Sequence, residues 1–597
     1  MDSKYSLDLD NSNWSYDSEN GVYYQIGLIY CTKPVNTDYQ SMAIYIPKEY
    51  LTCTETSTSG KFKCEINSSG KKGGYTTSTA PIVIPVETPG YSAMRPPTSY
   101  SYDTVSSYIE KGIIFAYAGC RGRYEGEEDY ISGAPWPITD LKSAIRYLRY
   151  NKNKLPGDTD KIYTFGMSGG GAQSCLMGVT GNSALYTKYL EANGAAMKDA
   201  QGNDLKDNVK GSQCWCPITN LDTANAAYEW NIGQYYSTNT RADDTLTKLL
   251  SNDLTSEFVK YINAIKLKNP KGNELTLTNT NEGSYYDYLK SIIEESLNNF
   301  LSDTKFPWTR SHKKEFPRGM NGGFFPFGPG GHGPMGPGLH GPMGPGVHGL
   351  MGHGGHGPMG PGVHGPMGHG GHGPRGPMGL VLEEATYNTI NDYINYLNSD
   401  NKWVIYDSNT NKATITNVGD FIKKFKLATK DVCAFDDLNR AQGENQVFGT
   451  KPESGQYTKH FDKITFDLLN TNSEKYSSKP DWKTNYPNDY LNDFKERDSQ
   501  GNNIEYRLNM YNPMYYLSNY YEGYKTSDVA DYFRINTGIF QSDTGNVVEI
   551  NLYLALLNYG KNVSFTTVWE QQHVKAERTG DSDTNFINWI AEIENVK

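Results

Sequence analysis

The sequence lacks a long apolar run, an excess of basic residues and any CxxC motif. A transmembrane helix needs about 20 consecutive apolar residues, so no membrane segment is expected. Lys plus Arg number 56 against 67 Asp plus Glu, which gives a net charge of −11 and argues against nucleic-acid binding. None of the eight cysteines forms a CxxC pair, so free thiols are expected rather than a zinc or redox centre.

The first residues also lack the basic and apolar segments of a secretory signal. This absence predicts a cytoplasmic protein, or a secreted one if a leader has been removed. Hydrophobic residues make up 37% of the chain, which is enough to build a sizeable buried core.

Short apolar stretches bounded by glycine, proline and polar turns predict strands near the start of the chain. They are GVYYQIGLIYC, SMAIYIP, APIVIPV and GIIFAYAGCRG. A helical pattern follows in LKSAIRYLRY, and Thr139 or Asp140 is predicted to cap it. From about residue 80 to residue 220, strand and helix patterns alternate. Such alternation predicts a mostly parallel sheet covered by helices.

The alternation is lost between residues 223 and 500, where helical patterns and polar loops dominate, and it returns near the end. We therefore predict a core of residues 1–222 and 501–597, with residues 223–500 inserted as a large, mainly helical lid. Within the lid, residues 318–379 form a Gly/Pro/His/Met tract in which six histidines recur every eight residues. Glycine is not present at every third position, so a collagen triple helix is excluded and a flexible surface loop is predicted.

The clearest local motif is Gly-x-Ser-x-Gly at residues 166–170, directly between a predicted strand and a predicted helix. In that context the motif is typical of the nucleophile turn of α/β-hydrolases, where flanking glycines relieve steric crowding. We therefore predict an α/β-hydrolase fold with Ser168 as the nucleophile. The alternative is a tight strand-to-helix turn without chemistry.

A serine hydroxyl needs a base to attack an ester at neutral pH, and histidine is the usual one. Eight of the eleven histidines lie in the Gly-rich tract, which leaves His312, His460 and His573. In α/β-hydrolases the chain order is serine, acid, histidine, and only His573 follows the last predicted strand. His312 and His460 fall in the insertion, where surface or lid positions are expected.

Two more groups complete the predicted site. Asp543, on the loop after DYFRINTG, is the candidate acid that would hold the His573 ring, although it could instead cap the next helix. The oxyanion needs two backbone N–H donors. Gly169 is expected to supply one, and Gly90 or Tyr91 the other. No metal and no cofactor is expected.

Longer motifs resemble those of bacterial tannases, namely GMSGGGAQS, AYAGCRGRYEG, CPITNLDTANAAYEW, AFDDLNRAQGENQVFG and the final VWEQQH. The resemblance runs from about residue 20 to the C-terminus, apart from the Gly-rich tract. It implies hydrolysis of galloyl or related hydroxybenzoate esters through an acyl-enzyme. It also implies that Lys430, Glu444 and Asp543 bind the hydroxyl groups of the aromatic ring.

The sequence departs from that family at the acid, whose position two residues before the ring-binding aspartate is Gln541. An amide can orient a histidine but cannot stabilise the imidazolium by charge, and such a replacement lowers serine protease rates by about 10⁴. Three alternatives follow. Asp543 takes over as the acid, another carboxylate such as Glu570 does so, or the enzyme is slow.

Three functions are therefore open. The first is an esterase whose partner is a small phenolic ester. The second is a general carboxylesterase or a peptidase related to prolyl oligopeptidases, which would share Ser168 but not the phenol pocket. The third is a degenerate hydrolase whose His-rich tract binds divalent metal. One fold suits all three, so the site must decide between them. The sequence predicts no oligomeric state.

Overall fold

The computed structural model describes residues 5–124, 131–310, 382–450 and 457–596. The strands are β1 (Ser15–Asp17), β2 (Val22–Ile29), β3 (Ser41–Pro47), β4 (Leu51–Glu55), β5 (Phe62–Ile66), β6 (Lys71–Lys72), β7 (Tyr75–Thr76), β8 (Ile82–Val86), β9 (Ile114–Ala118), β10 (Ile162–Met167), β11 (Gly211–Trp215), β12 (Trp308–Arg310), β13 (Ala385–Tyr387), β14 (Val404–Asp407), β15 (Lys412–Ile415), β16 (Tyr532–Gly538) and β17 (Asn562–Val568). The predicted Gly-rich loop lies outside the described residues, so it stays a prediction.

Nine of these strands form one sheet in the order β1-β2-β3-β9-β8-β10-β11-β16-β17. The strands from β9 to β17 in this order run parallel to one another, whereas β1, β2 and β3 join as an antiparallel extension. The prediction of a mostly parallel sheet is confirmed. Every residue of β8 is buried, as expected for a strand that is covered on both faces.

Helices cover the sheet and build the region between β11 and β16. They are α1 (Tyr102–Ile109), α2 (Trp136–Tyr150), α3 (Gly169–Val179), α4 (Thr187–Asn193), α5 (Ala224–Asn231), α6 (Leu246–Ile265), α7 (Ser284–Asp303), α8 (Ile390–Leu397), α9 (Val418–Phe425), α10 (Glu444–Val447), α11 (Lys463–Thr471), α12 (Ser473–Ser477), α13 (Tyr486–Lys495), α14 (Ile504–Met510), α15 (Pro513–Leu517), α16 (Asn546–Tyr559) and α17 (Ser582–Ile593). Among the helices described, none is both long and apolar enough to cross a bilayer.

Two local predictions were wrong. Helix α2 begins at Trp136, so Thr139 and Asp140 lie inside it rather than at its cap. Asp140 instead accepts hydrogen bonds from the buried Arg121 guanidinium, at 2.7 and 2.8 Å. The expectation of free thiols fails for one pair, because a disulfide joins Cys53 to Cys64 across the β4–β5 hairpin.

A buried charge cluster attaches α2 to the C-terminal end of α3. Lys142 Nζ donates to Asp207 Oδ1 and to the Thr180 carbonyl, each at 2.7 Å, and Arg146 Nε donates to Asp207 Oδ2 at 2.7 Å. Burial raises the pKa of Asp207, but the two cations outweigh this effect and hold it at about 2. Because that pKa is depressed, the stabilisation is present above the ordinary aspartate pKa and is lost as the pH falls through about 2.

Asp207→Asn is expected to lower the free energy of unfolding by about 3–5 kcal/mol, because it leaves buried cations without a counter-charge. Thermal and urea denaturation at neutral pH measure this effect. Asp204→Asn is the matched control, since the Asp204 side chain is 86% exposed and pairs with Lys198 at the surface. Equal shifts in Tm for the two variants would contradict a special role for the buried cluster.

Candidate active site

Ser168 lies at the turn between β10 and α3, with φ 60° and ψ −124°. A positive φ is strained for a residue with a side chain, and such strain is characteristic of functional sites. The Ser168 N–H donates to the Trp215 carbonyl at the end of β11, and its carbonyl accepts from Ala172 in α3, both at 2.9 Å. The neighbouring strand and the helix therefore hold the strained turn in place.

The glycines on either side of Ser168 are required by close approach of the backbone. A Cβ on Gly166 would lie 2.3 Å from the Gly170 carbonyl oxygen. A Cβ on Gly170 would lie 2.1 Å from the Val86 carbonyl oxygen at the end of β8. No larger residue fits without moving the strand or the helix, which explains the glycines of the motif.

The two predicted oxyanion segments are in contact. A Cβ on Gly169 would lie 2.5 Å from Tyr91 N and 3.2 Å from Gly90 N, both in the short helical turn Pro89–Tyr91. The Tyr91 N–H is already engaged, because it donates to the Thr88 carbonyl at 2.9 Å. Of the two alternatives for the second donor, this geometry favours Gly90. The N-terminus of α3 adds a partial positive charge at the same place.

His573 follows β17, and its ring is held by an amide. His573 Nδ1 lies 2.7 Å from Gln541 Oε1 and 3.7 Å from Asp543 Oδ2. An amide oxygen can only accept, so Nδ1 carries a hydrogen, and in the neutral ring Nε2 is then the nitrogen that can act as a base. The group that orients the ring is therefore Gln541 rather than Asp543, whose carboxylate is close enough to act through its charge.

Ser168 and His573 lie on loops at the same carboxyl edge of the sheet, and the loop after β11 connects them. Trp215, which accepts from the Ser168 N–H, is followed by Cys216, and the Cys216 thiol donates to the Val574 carbonyl at 3.2 Å. No direct hydrogen bond joins the side chains of Ser168 and His573, both of which the structure describes. Bonds of this kind often tighten only when substrate is bound.

Glu570, the other candidate acid, is engaged elsewhere. Its carboxylate accepts from Arg310 at 2.6 and 2.7 Å and from the Tyr393 hydroxyl at 2.5 Å. His460, which was expected at a surface or lid position, lies in the inserted segment but is fully buried, with Nδ1 2.8 Å from Asp436 Oδ1. Neither residue contributes to the site, and His312 lies outside the described residues.

Lys430 and Glu444 are brought together by the segment inserted between β11 and β16. Lys430 Nζ lies 3.4 Å from Glu444 Oε1 and 3.8 Å from the centre of the Phe435 ring. Helix α10, which begins with Glu444, packs against the Pro89–Tyr91 turn. After burial, the charge of Glu444 is the second cause that raises the pKa of Tyr91. The pair therefore lies beside the oxyanion segment.

A buried polar cluster behind Gln541 was not predicted from the sequence. Gln541 Nε2 donates to Thr537 Oγ1 at 2.8 Å and to Glu549 Oε1 in α16. Glu549 also accepts from Thr537 Oγ1 at 2.8 Å and from Asn546 Nδ2 at 3.1 Å. The available signal was a single carboxylate within the mostly apolar stretch VVEINLYLALL, because acidic residues are rarely fully buried unless they are paired.

Residues 74–270 match the family model BD-FAE, an α/β-hydrolase domain. The crystal structure of Fusobacterium nucleatum tannase is similar with a TM-score of 0.64 and 26% identity, over 99% of this chain and 100% of that chain. Tannase from Lactobacillus plantarum gives 0.63 and 21%, over 98% of both chains. A tannin acyl hydrolase in complex with ethyl gallate gives 0.60 and 22%, over 96% and 94%. No curated protein matches this chain in sequence.

The sheet, the turn at Ser168 and these similarities define the class of protein. The chain is an α/β-hydrolase of the carboxylic ester hydrolase type. Solved structures that share its fold over nearly the whole length include tannases, which confirms the resemblance seen in the sequence motifs.

Ser168→Ala and His573→Ala are each expected to lower kcat/KM for p-nitrophenyl acetate by about 10³-fold or more. The double variant should be no slower than the slower single variant, because residues that act as one unit are not additive. Steady-state kinetics on folded variants measure this effect. Turnover by Ser168→Ala at the unmodified rate, or losses that multiply in the double variant, would contradict the assignment.

Proposed function

We propose that this protein hydrolyses esters of galloyl or related hydroxybenzoate acids through an acyl-enzyme on Ser168. The observation that carries this proposal is the Lys430–Glu444 pair beside the oxyanion segment, at 3.4 Å. A general esterase has no need of a largely buried ion pair beside its oxyanion segment. A ring that carries several hydroxyl groups matches such a pair with both donors and acceptors.

The reaction proceeds in two halves. His573 Nε2 removes the Ser168 proton as Oγ attacks the ester carbonyl, and the Gly169 and Gly90 N–H groups bind the oxyanion. His573 then gives this proton to the leaving alcohol, and the aromatic acyl group remains on Ser168. A water that is deprotonated by His573 attacks the acyl-enzyme and releases the acid. The reaction uses no cofactor and no metal.

Recognition of the ring rests on three charged groups. Glu444 and Asp543 accept hydrogen bonds from phenolic hydroxyls, and Lys430 polarises a hydroxyl that lies beside it. The complex of a similar tannin acyl hydrolase with ethyl gallate supports this assignment of the acyl group. A substrate without ring hydroxyls would leave charged groups unpaired in a half-buried pocket, at about 1–3 kcal/mol for each group.

The segment of residues 223–500 acts as a lid in this proposal, inserted between core parts formed by residues 1–222 and 501–597. The origin of the side chains supports this role. Lys430 and Glu444 come from the segment, whereas Ser168, His573 and Asp543 come from the core. A lid of this kind would determine which acyl group enters and leave the chemistry to the core.

A series of methyl esters tests the proposal directly. The expected order of kcat/KM is gallate, then protocatechuate, then 4-hydroxybenzoate, then benzoate, with a loss of about 10-fold or more at the step that removes a bound hydroxyl. Liquid chromatography of the released acid measures each rate. Equal rates for gallate and benzoate, or preferential cleavage of acetate esters, would favour the general carboxylesterase.

Lys430→Met is expected to lower kcat/KM for methyl gallate by about 10- to 100-fold, because the variant loses a charged hydrogen-bond donor. Hydrolysis of p-nitrophenyl acetate should change little, since that ester has no phenolic acyl group. Lys463→Met is the matched control, as Lys463 lies in α11 in an exposed ion pair with Asp467. Unchanged gallate kinetics in Lys430→Met would remove Lys430 from substrate recognition.

A further inference from the structure

We propose that Glu549 is a positioning residue that acts through Gln541 and sets the proton arrangement of His573. The amide of Gln541 and the carboxylate of Glu549 together replace a triad acid. This inference rests on the proposed function only in that Ser168 and His573 form the esterase site. The identity of the ester does not enter the argument.

An amide at this place has two orientations with opposite consequences. With Oε1 towards His573, the ring carries its hydrogen on Nδ1 and keeps Nε2 free as the base. With the amide nitrogen towards His573, Nδ1 would have to accept, the hydrogen would move to Nε2, and the base would be lost. The wrong tautomer of this kind accounts for the loss of about 10⁴ in serine proteases that carry an amide in place of the acid.

The surroundings of the far end of the amide decide between the two orientations. Gln541 Nε2 has two hydrogens, and the structure provides one acceptor for each, Thr537 Oγ1 and Glu549 Oε1. An ionised carboxylate can only accept hydrogen bonds, so it requires the NH₂ group on its side. Turning the amide would place two acceptor oxygens against each other in a fully buried site.

Every other contact of Glu549 is consistent with an ionised acceptor. Thr537 Oγ1 donates to Oε1 at 2.8 Å, and Asn546 Nδ2 donates to Oε2 at 3.1 Å. Asn546 Oδ1 in turn accepts from Lys426 Nζ, which also donates to the Gln541 backbone carbonyl at 2.5 Å. Lys426 is buried and supplies a counter-charge to the carboxylate. The Glu549 carboxylate therefore accepts from three side chains, Gln541, Thr537 and Asn546.

The buried charges make this arrangement sensitive to pH. Burial raises the pKa of Glu549 to about 7 and lowers the pKa of Lys426 to about 7. The other titratable groups that face the pair are Cys216 after β11, Asp543 before α16, and His573 beyond Gln541. Protonation of Glu549 lets it donate, so it no longer fixes the amide, and activity should decrease on acidification once Glu549 is protonated. Lys426 gains its proton over the same range, and the Lys426 cation lowers the pKa of Glu549.

Glu549→Gln keeps the shape of the side chain. An amide at residue 549 can donate as well as accept, so it no longer requires the NH₂ group of Gln541 to face it. Its expected effect is a decrease in kcat of about 10- to 10³-fold, below the limit of about 10⁴ set by a fully wrong tautomer. KM for methyl gallate should change by less than about twofold, because the ring-binding groups are untouched. The rate at which a fluorophosphonate labels Ser168 should decrease in parallel with kcat.

The exchange variant Gln541→Glu/Glu549→Gln provides the decisive comparison. It keeps one carboxylate and one amide in the same volume, but the carboxylate now stands at residue 541, in contact with His573 Nδ1. The expected result is recovery to the unmodified kcat or above, since the carboxylate also stabilises the imidazolium. A role of Glu549 in packing alone would not be rescued by moving the charge to residue 541.

Wild-type labelling rates for folded Glu549→Gln, or an exchange variant no faster than that single variant, would overturn the inference. If Glu549→Gln fails to fold, Glu549→Asp replaces it, because the shorter side chain withdraws the carboxylate from Gln541 Nε2. Slower Ser168 labelling that is restored in the exchange variant supports the inference, and an unchanged labelling rate contradicts it. If the unmodified protein labels but cleaves no galloyl ester, the proposed function fails, and the labelling rates alone decide the role of Glu549.

Discussion

The left-handed backbone of Ser168 is the constraint on which the rest of the site depends. At φ 60° the chain turns abruptly from β10 into α3, and the strain is supported by β8 and β11, which flank β10 in parallel. The same turn brings Gly169 next to Gly90 and puts the proposed nucleophile at the edge of the sheet where the loops after β16 and β17 begin. Because three buried strands must end in register for this to occur, the strained turn can exist only when the sheet around it is formed.

The segment between β11 and β16 also contacts the loops that carry Gln541 and His573. Phe425, the last residue of α9, stacks on Phe540 at 4.0 Å, and Phe540 lies 4.9 Å from Trp569. These aromatic contacts attach α9 to the two loops that carry Gln541 and His573. The next residue, Lys426, belongs to the buried polar cluster behind Gln541 and donates to the Gln541 carbonyl. Packing of this segment and the electrostatics of the base are therefore coupled.

Local pattern was sufficient to predict most strands of the large sheet, the turn at Ser168 and the position of His573 after the last strand, because each is encoded in a short stretch of sequence. The roles of Gln541 and Asp543 could not be separated in this way. The difference between them is one of distance, because Gln541 Oε1 lies 2.7 Å from His573 Nδ1 and Asp543 Oδ2 lies 3.7 Å from it. The engagement of Glu570 by Arg310 joins residues that are far apart in the chain and leave no periodic trace. The start of α2 was missed because Asp140 resembled a cap but pairs with Arg121.

The most direct test of the account is to trap the acyl-enzyme. Protein that is quenched in acid during turnover of ethyl gallate can be digested and analysed by mass spectrometry. The account predicts a galloyl group on the peptide that contains Ser168, absent when Ser168 is replaced by alanine. Release of gallate with no acylated peptide, or acylation of a different residue, would contradict the central claim.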